Sequence, residues 1–195
     1  MTELVLVRHA ATAWTGVRYC GRSDPWLSAA GRAEAQAIGE ALAGSLPPDL
    51  RIVSSPRRRA RQTSRAIVAR LGGLRIELDD RWAETDFGDA EGRTFDQLAR
   101  RHPALAASLA SGAVAIDFPG GETATDLHAR VAAVWRAVVA AGRPALVVTH
   151  AGPLRIALAL ADGVSVSDVA IPPVGAIIRR SVGGPCADAV LPSST

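Results

Sequence analysis

Leu4-Val5-Leu6-Val7-Arg8-His9 is a run of four apolar residues that ends abruptly in an arginine and a histidine. Because the apolar residues do not alternate with polar ones, the run predicts a strand covered on both faces, as in a parallel sheet flanked by helices. Ligand sites in such sheets lie beyond the carboxyl ends of the strands. Arg8 and His9 occupy that position, and the pair suits an anion. On these two residues alone, a solvated strand end is an equal alternative.

The same pattern returns near the other end of the chain, where the apolar run from Ala145 to Thr149 stops at His150. Between and after these runs, apolar periodicity and turn residues predict further strands at 50–53, 74–78, 174–178 and near 187–191. Helices are expected from Ser28 to about 42, from Pro56 to about 71, over 95–110 with a break at Pro103, from 123 to 141, and at about 153–161. This alternation predicts an α/β fold: a three-layer α/β/α sandwich with a mostly parallel central sheet. The segment of about 86–125 is expected to form a small helical cap.

Composition limits the class of protein. The chain has 195 residues, of which 48% are hydrophobic and 21% charged, which is typical of one globular domain covering residues 1–195. No apolar run approaches the roughly 20 residues that cross a bilayer. No basic segment followed by an apolar core precedes the first strand, so we expect a cytoplasmic protein without a membrane partner. Cys20 and Cys186 lack metal-ligand spacing, and two free thiols are the favoured interpretation.

The charge is mildly positive, at +3, and all 22 basic residues are arginines. Such a field favours anionic small molecules and does not require nucleic acid. The densest basic run, from Arg57 to Arg61, lies in the predicted helix that starts at Ser54-Ser55-Pro56, with serine as the cap and proline at the first helical position. At 100° per residue, Arg59 falls at the border of the apolar stripe near the predicted crevice. The solvated side holds Arg58, Arg61 and Arg65.

Four carboxylates between residues 84 and 91 follow the third predicted strand. Most acidic loops are simply solvated, but Glu84 falls where a strand end opens onto the predicted crevice. Two arginines and two histidines can surround a dianion, and a carboxylic acid beside them can donate a proton to a departing oxygen. A phosphate monoester fits that set better than a carboxylate does. No glycine-rich nucleotide loop is present, and the arginines would repel a metal cation.

Five stretches together resemble the histidine phosphatase (phosphoglycerate mutase-like) superfamily, in the expected order along nearly the whole chain. They are Leu6 to His9, Ser54 to Thr63, Glu84 to Gly92, Pro119 to Glu122 and Val148 to Gly152. The resemblance implies the phosphoglycerate mutase-like fold and a metal-independent enzyme without a cofactor. It also implies that His9 is the nucleophile that becomes phosphohistidine, that Glu84 is the proton donor, and that Arg8, Arg59 and His150 form the phosphate pocket.

Several positions depart from the family pattern. Ala10 and Ala11 replace the usual glycine and acidic residue after the histidine, Thr15 replaces a common asparagine, and Ala90 stands where a tryptophan is frequent. A hydroxyl at Thr15 retains the ability to donate a hydrogen bond to phosphate. We expect the substrate to be contacted by Thr15, Trp14, Gly21 and Ala151. Asp86 and Glu91 are rival proton donors.

The resemblance favours hydrolysis of a small phosphorylated metabolite, with inorganic phosphate as the product. The chain is shorter than the mutases of the superfamily, so a phosphoglycerate mutase-type phosphotransferase is the second choice. The stretches Glu84 to Gly88 and Phe118 to Thr123 look most like the α-ribazole phosphatase branch, which acts in cobalamin assembly. From a different class, an arginine-rich module that binds nucleic acid or phosphoproteins stays open. We expect no nucleic-acid partner, and a monomer or a homodimer.

Overall fold

Among residues 1–183, the sheet has five strands and is parallel except at one edge. A computed structural model describes residues 1–183, and all statements below concern that part of the chain. The strands are β1 (Thr2–Arg8), β2 (Arg51–Ser54), β3 (Ile76–Leu78), β4 (Ala145–Thr149) and β5 (Ile177–Val182). Their order across the sheet is β3-β2-β4-β1-β5, with only β5 antiparallel to its neighbour. The prediction of a mostly parallel central sheet is confirmed.

Six helices cover the two faces of the sheet and one end of it. They are α1 (Ala29–Leu42), α2 (Arg58–Arg70), α3 (Phe95–Arg101), α4 (Pro103–Ala110), α5 (Ala124–Ala140) and α6 (Ala151–Asp162). One apolar cluster joins Val5 and Val7 of β1 to α1 and α2, whereas another joins Leu4 and Leu6 to α5 and α6. Successive side chains of β1 therefore enter opposite layers, which is why its apolar residues do not alternate with polar ones. The predicted three-layer sandwich is confirmed.

Two helix starts differ from the sequence prediction. Helix α2 begins at Arg58 rather than Pro56, and no serine side chain caps it. Instead, the Arg58 N–H donates to Oδ1 of Asp24 at 2.6 Å, and Asp24 belongs to a loop distant in sequence. Helix α6 begins at Ala151, two residues before the expected start. Pro153 is tolerated there because a proline in the first turn removes an N–H that the helix does not use.

Two strands are also displaced from their predicted bounds. The third strand starts at Ile76, and the last described strand covers Ile177–Val182 rather than 174–178. Its start is delayed because a turn intervenes, in which the Ala176 N–H donates to the Pro173 carbonyl. The strand predicted near 187–191, like Cys186, lies outside the described residues.

The segment predicted to form a cap contains the two short helices α3 and α4, which are separated at Pro103 as the sequence indicates. It has a small apolar cluster of its own, formed around Ala90, Leu98, Leu105 and Phe118. This segment also forms one wall of a cavity beside the carboxyl end of the sheet. Within residues 1–183, no helix is long and apolar enough to cross a membrane.

Candidate active site

His9 follows β1 directly and is only 6% exposed. Its Nδ1 lies 2.8 Å from the carbonyl oxygen of Ala10. A carbonyl can only accept, so this contact assigns the ring hydrogen to Nδ1 and leaves a lone pair on Nε2. Burial, followed by the charge of Arg59, lowers the pKa of His9 from 6.5 to about 3. The imidazole is therefore neutral and has a nucleophilic nitrogen at neutral pH.

His150 follows β4 and is fully buried. Its Nε2 donates to the hydroxyl of Ser55 at 2.7 Å, while its Nδ1 accepts from Nε of Arg59 at 3.2 Å. Burial is the main cause that holds the pKa of His150 well below its ordinary value, and the nearby arginine adds to it. The rings of His9 and His150 have centroids 4.9 Å apart, so two neutral imidazoles meet at this edge of the sheet.

Arg59 links the histidines to a loop. Its side chain is 1% exposed, and its Nε lies 3.2 Å from Nε2 of His9 as well as 3.2 Å from His150. Its Nη1 and Nη2 donate to the carbonyl oxygens of Cys20, Gly21 and Ser23, at 2.8 to 3.1 Å. The arginine predicted to contact phosphate thus also fixes the 20–23 loop against the two imidazoles.

Arg8 lies beside His9 on the wall of a pocket of about 200 Å³. Its Nη1 donates to the carbonyl of Pro172 at 2.6 Å, and its Nε is buried without a hydrogen-bond partner among residues 1–183. Burial lowers the pKa of this guanidinium from its ordinary value, although Glu84 opposes the shift. A buried N–H that lacks an acceptor is costly, and an anionic oxygen is the acceptor that stabilises it most.

Glu84 is 7% exposed and lies at the N-terminus of α6. Its Oε2 accepts from the Ala151 N–H at 3.0 Å, and its Oε1 accepts from the Gly152 N–H at 3.1 Å. A Cβ at position 152 would lie 2.8 Å from Oε1 of Glu84 and from the Thr85 hydroxyl, so a side chain there would displace the carboxylate. The early start of α6 is what places these two N–H groups against the carboxylate.

Two contacts that the sequence did not indicate hold the backbone around Glu84. Arg130 of α5 donates to the carbonyl oxygens of Ala83 and Glu84, at 2.8 and 3.3 Å. The same guanidinium pairs with Glu122 at 2.6 Å, which gives a structural role to the Gly-Gly-Glu stretch that ends there. The Thr149 hydroxyl donates to the Trp82 carbonyl at 2.7 Å and ties the end of β4 to the same segment.

The two rival proton donors do not line the pocket that holds His9, whereas Glu84 does. Asp86 forms an ion pair with Arg22 at 2.9 Å. Glu91 accepts hydrogen bonds from the backbone N–H groups of residues 21–23 and 87, and from the Ser23 hydroxyl. Both carboxylates are engaged in holding loops, so the geometry favours Glu84 as the acid.

Of the four expected substrate contacts, Trp14, Thr15 and Ala151 line the pocket. The Thr15 hydroxyl accepts from the Thr12 N–H at 2.9 Å and lies 3.4 Å from the Thr12 hydroxyl. Gly21 lies behind the wall, where a Cβ would overlap the Thr85 carbonyl oxygen and the Glu91 carboxylate.

The structure adds Thr12, Arg18, Tyr19 and Cys20 to the lining, which the aperiodic loop sequence did not indicate. Cys20 is a free thiol whose pKa is raised to about 11, chiefly by burial.

An α/β sandwich that gathers imidazole and guanidinium groups at the carboxyl edge of its sheet has the architecture of a phosphate-handling enzyme. The model of the histidine phosphatase superfamily (branch 1) matches residues 4–176. The chain belongs to this superfamily, and the resemblance seen in the sequence is confirmed.

Individual relatives differ in length and in the activities that their names give. A bifunctional protein of Mycobacterium tuberculosis is 36% identical over 165 residues, which cover 82% of this chain but only 44% of that protein. A solved structure of a mycobacterial glucosyl-3-phosphoglycerate phosphatase has a TM-score of 0.80 and 31% identity, and the match covers 92% of this chain and 90% of that one. A putative α-ribazole-5'-P phosphatase from Escherichia coli has a TM-score of 0.72 and 25% identity, with 82% and 79% covered.

Proposed function

We propose that this chain hydrolyses a phosphate monoester of a small metabolite through a phosphohistidine on His9, without a metal ion. One observation carries the proposal: a neutral His9, whose Nε2 accepts from Nε of Arg59, lines a pocket that Arg8 and Glu84 also line. Nucleophile, cation and acid therefore bound one space of about 200 Å³. The superfamily assignment supports the same chemistry.

In the first half-reaction, Nε2 of His9 forms a bond to phosphorus and the bond from phosphorus to the ester oxygen breaks. An alkoxide is a poor leaving group, so Glu84 transfers its proton to that oxygen and an alcohol departs. In the second half-reaction, the Glu84 carboxylate takes a proton from water as the water oxygen bonds to phosphorus. The bond to Nε2 then breaks, which releases inorganic phosphate and restores both residues.

Charge compensation by Arg8 supplies much of the rate enhancement, because phosphoryl transfer is mostly positioning and electrostatic stabilisation. Its side chain lines the pocket, and its Nη1 bond to the Pro172 carbonyl keeps the guanidinium in place. Nε of Arg59 lies beside the reacting nitrogen of His9, and His150 accepts a hydrogen bond from the same Nε. They complete the positive environment and hold the imidazole in line.

Among possible substrates, we propose α-ribazole 5'-phosphate for the first specific assay. Two observations support this choice: the resemblance of the stretches Glu84 to Gly88 and Phe118 to Thr123 to that branch, and the structural similarity to the putative α-ribazole-5'-P phosphatase. Phosphoglycerate mutase-type transfer is the competing outcome, and it would appear as exchange of phosphate between glycerate positions without release of inorganic phosphate.

The proposed function is tested by release of inorganic phosphate from p-nitrophenyl phosphate in the presence of a chelator. His9→Ala is compared with His102→Ala, because His102 lies in the predicted cap segment and its only described ionic contact is with Asp89 at 3.7 Å. We expect turnover in the wild type and in His102→Ala, and none in His9→Ala. Activity that survives in His9→Ala, or that disappears with chelation, would refute the phosphohistidine route.

A further inference from the structure

A second cavity, of about 240 Å³, adjoins the phosphate pocket. We infer that this cavity binds an apolar group, such as an aromatic ring or a hydrocarbon chain, that the organic part of the substrate carries. The inference rests on the proposed function and deepens it by naming the class of alcohol that is released.

The two spaces meet at Glu84. Four residues line both of them: Tyr19, Glu84, Phe87 and Ala151. When the phosphoryl group lies against His9 and Arg8, the ester oxygen must lie beside the acid that protonates it. The carbon atoms bonded to that oxygen then extend past Glu84, and the adjoining cavity is the space that receives them.

The walls beyond Glu84 are mostly apolar and come from several parts of the chain. The predicted cap segment contributes Ile116 and Phe118, α5 contributes Leu127 and α6 contributes Ile156. Among the described lining residues, the one guanidinium is that of Arg155, which donates to the carbonyl oxygens of Val169 and Ser167. Within the described residues, the walls of this cavity therefore offer few hydrogen-bond partners to a hydroxyl group placed inside it.

Apolar walls disfavour substrates with hydroxyl groups at this place and favour substrates with hydrocarbon groups. A hydroxyl that loses water without gaining a hydrogen-bond partner is disfavoured, whereas each methylene buried there favours binding about fourfold. An apolar cavity of about 150 Å³ is enough to hold benzene. The larger volume of about 240 Å³ therefore admits a substituted ring or a chain of several carbons.

The test is the kcat/KM for a series of n-alkyl phosphates from ethyl to hexyl, with glucitol 6-phosphate as the hydroxylated match for hexyl phosphate. Primary alkyl leaving groups have similar intrinsic reactivity, so chain length changes mainly the contact with the cavity. We expect kcat/KM to rise by up to about fourfold for each added methylene until the cavity is full. Hexyl phosphate should exceed glucitol 6-phosphate by at least tenfold.

Two variants locate the effect. Ile171 lines the cavity and is 59% exposed, so Ile171→Asn should leave the fold intact and lower the ratio of hexyl to ethyl phosphate kcat/KM severalfold. Leu78→Asn is the matched control, because Leu78 is 52% exposed and lies outside the cavity, and it should leave the ratio unchanged. Ala124→Phe, at the first residue of α5, fills the cavity and should also lower the ratio.

A kcat/KM that does not change with alkyl chain length, or that is higher for glucitol 6-phosphate than for hexyl phosphate, would overturn the inference while leaving the phosphatase function in place. Inactivity toward every phosphomonoester would instead refute the proposed function. In that case the cavity is tested by calorimetry, in which hexylphosphonate should bind more tightly than methylphosphonate by at least tenfold. Equal affinities of the two phosphonates would overturn the inference independently of turnover.

Discussion

Replacing Glu91 with glutamine tests whether a carboxylate away from the phosphate pocket positions the reacting groups. Its two oxygens accept from the N–H groups of Gly21, Arg22, Ser23 and Phe87, at 2.6 to 3.3 Å. The carbonyl oxygens of residues 20, 21 and 23 in turn accept from Arg59, which contacts both histidines. Glu91 is therefore connected to the reacting nitrogen through one loop and one guanidinium.

The glutamine amide presents two donors where the carboxylate presents acceptors. If the NH₂ group replaces Oε1, the N–H groups of Arg22 and Phe87 lose their acceptor; if it replaces Oε2, those of Gly21 and Ser23 do. A hydrogen bond to a charged group contributes about 1.5–3 kcal/mol, and water can replace part of it at this partly exposed site. We therefore expect the free energy of unfolding to fall by about 3 kcal/mol. A displacement of the loop by about 1 Å would lower kcat/KM by up to about 100-fold.

Urea unfolding and kcat/KM for an alkyl phosphate and for 2,4-dinitrophenyl phosphate measure these effects. Loss of positioning should slow both substrates equally, because it does not depend on the basicity of the leaving group. Glu40→Gln is the control: Glu40 is exposed and pairs with Arg70 at 3.1 Å, so its loss should change stability by less than about 1 kcal/mol. Unchanged stability and turnover in Glu91→Gln would refute the positioning role, and a loss confined to the alkyl phosphate would make Glu91 the proton donor.

Three further predictions follow from the site. Glu84→Gln should lower kcat/KM for alkyl phosphates by about 10²- to 10⁴-fold but that for 2,4-dinitrophenyl phosphate by less than about tenfold, since a good leaving group needs no acid; equal losses would contradict the assignment of Glu84 as proton donor. The pKa of His9 is about 3 in the folded chain and 6.5 in the unfolded chain. Between pH 3 and pH 6.5, the unfolded chain therefore binds a proton that the folded chain does not. Stability should therefore decline as pH falls from about 6.5 toward 3, by up to about 1.4 kcal/mol per pH unit, and urea titrations of His9→Gln should show a shallower decline. Gly21→Ala should destabilise the protein by about 1–3 kcal/mol in thermal unfolding, because the new methyl group overlaps the Thr85 carbonyl; wild-type stability would show that the loop adjusts.

Features encoded in a short stretch of sequence were predictable. The central strands β1 and β4 each contain a continuous apolar run, and each is followed directly by a histidine that the structure places in the site. The phase of α2 separates Arg59, which is buried, from Arg58, which is exposed. Both inferences need only the periodicity of one element, because the sheet and the helix repeat their geometry residue by residue.

Features that depend on contacts between distant segments were not predictable. The start of α2 is fixed by Asp24, which is 34 positions away from the N–H that it accepts from. Arg130 holds the Glu84 backbone from a helix 46 positions further along the chain. No local periodicity encodes such pairs. For the same reason, the sequence does not tell whether Glu91 or Asp86 is a proton donor, whereas the contacts of Glu91 with residues 21–23 show that it holds a loop.

The basic run at the start of α2 shows why the structure favours a small anion over nucleic acid. Of its first three arginines, Arg57 donates to the Arg22 carbonyl, Arg58 pairs with Asp24 at 3.8 Å and lies 5.0 Å from the Trp26 ring, and Arg59 is buried in the site. A nucleic-acid surface needs several cations that face the same backbone and release its counterions. Here one guanidinium faces inward and the other two contact the loop that precedes α1, so the run organises a pocket. Retention on DNA that falls steeply with added salt, and that persists in His9→Ala, would be the result incompatible with this interpretation.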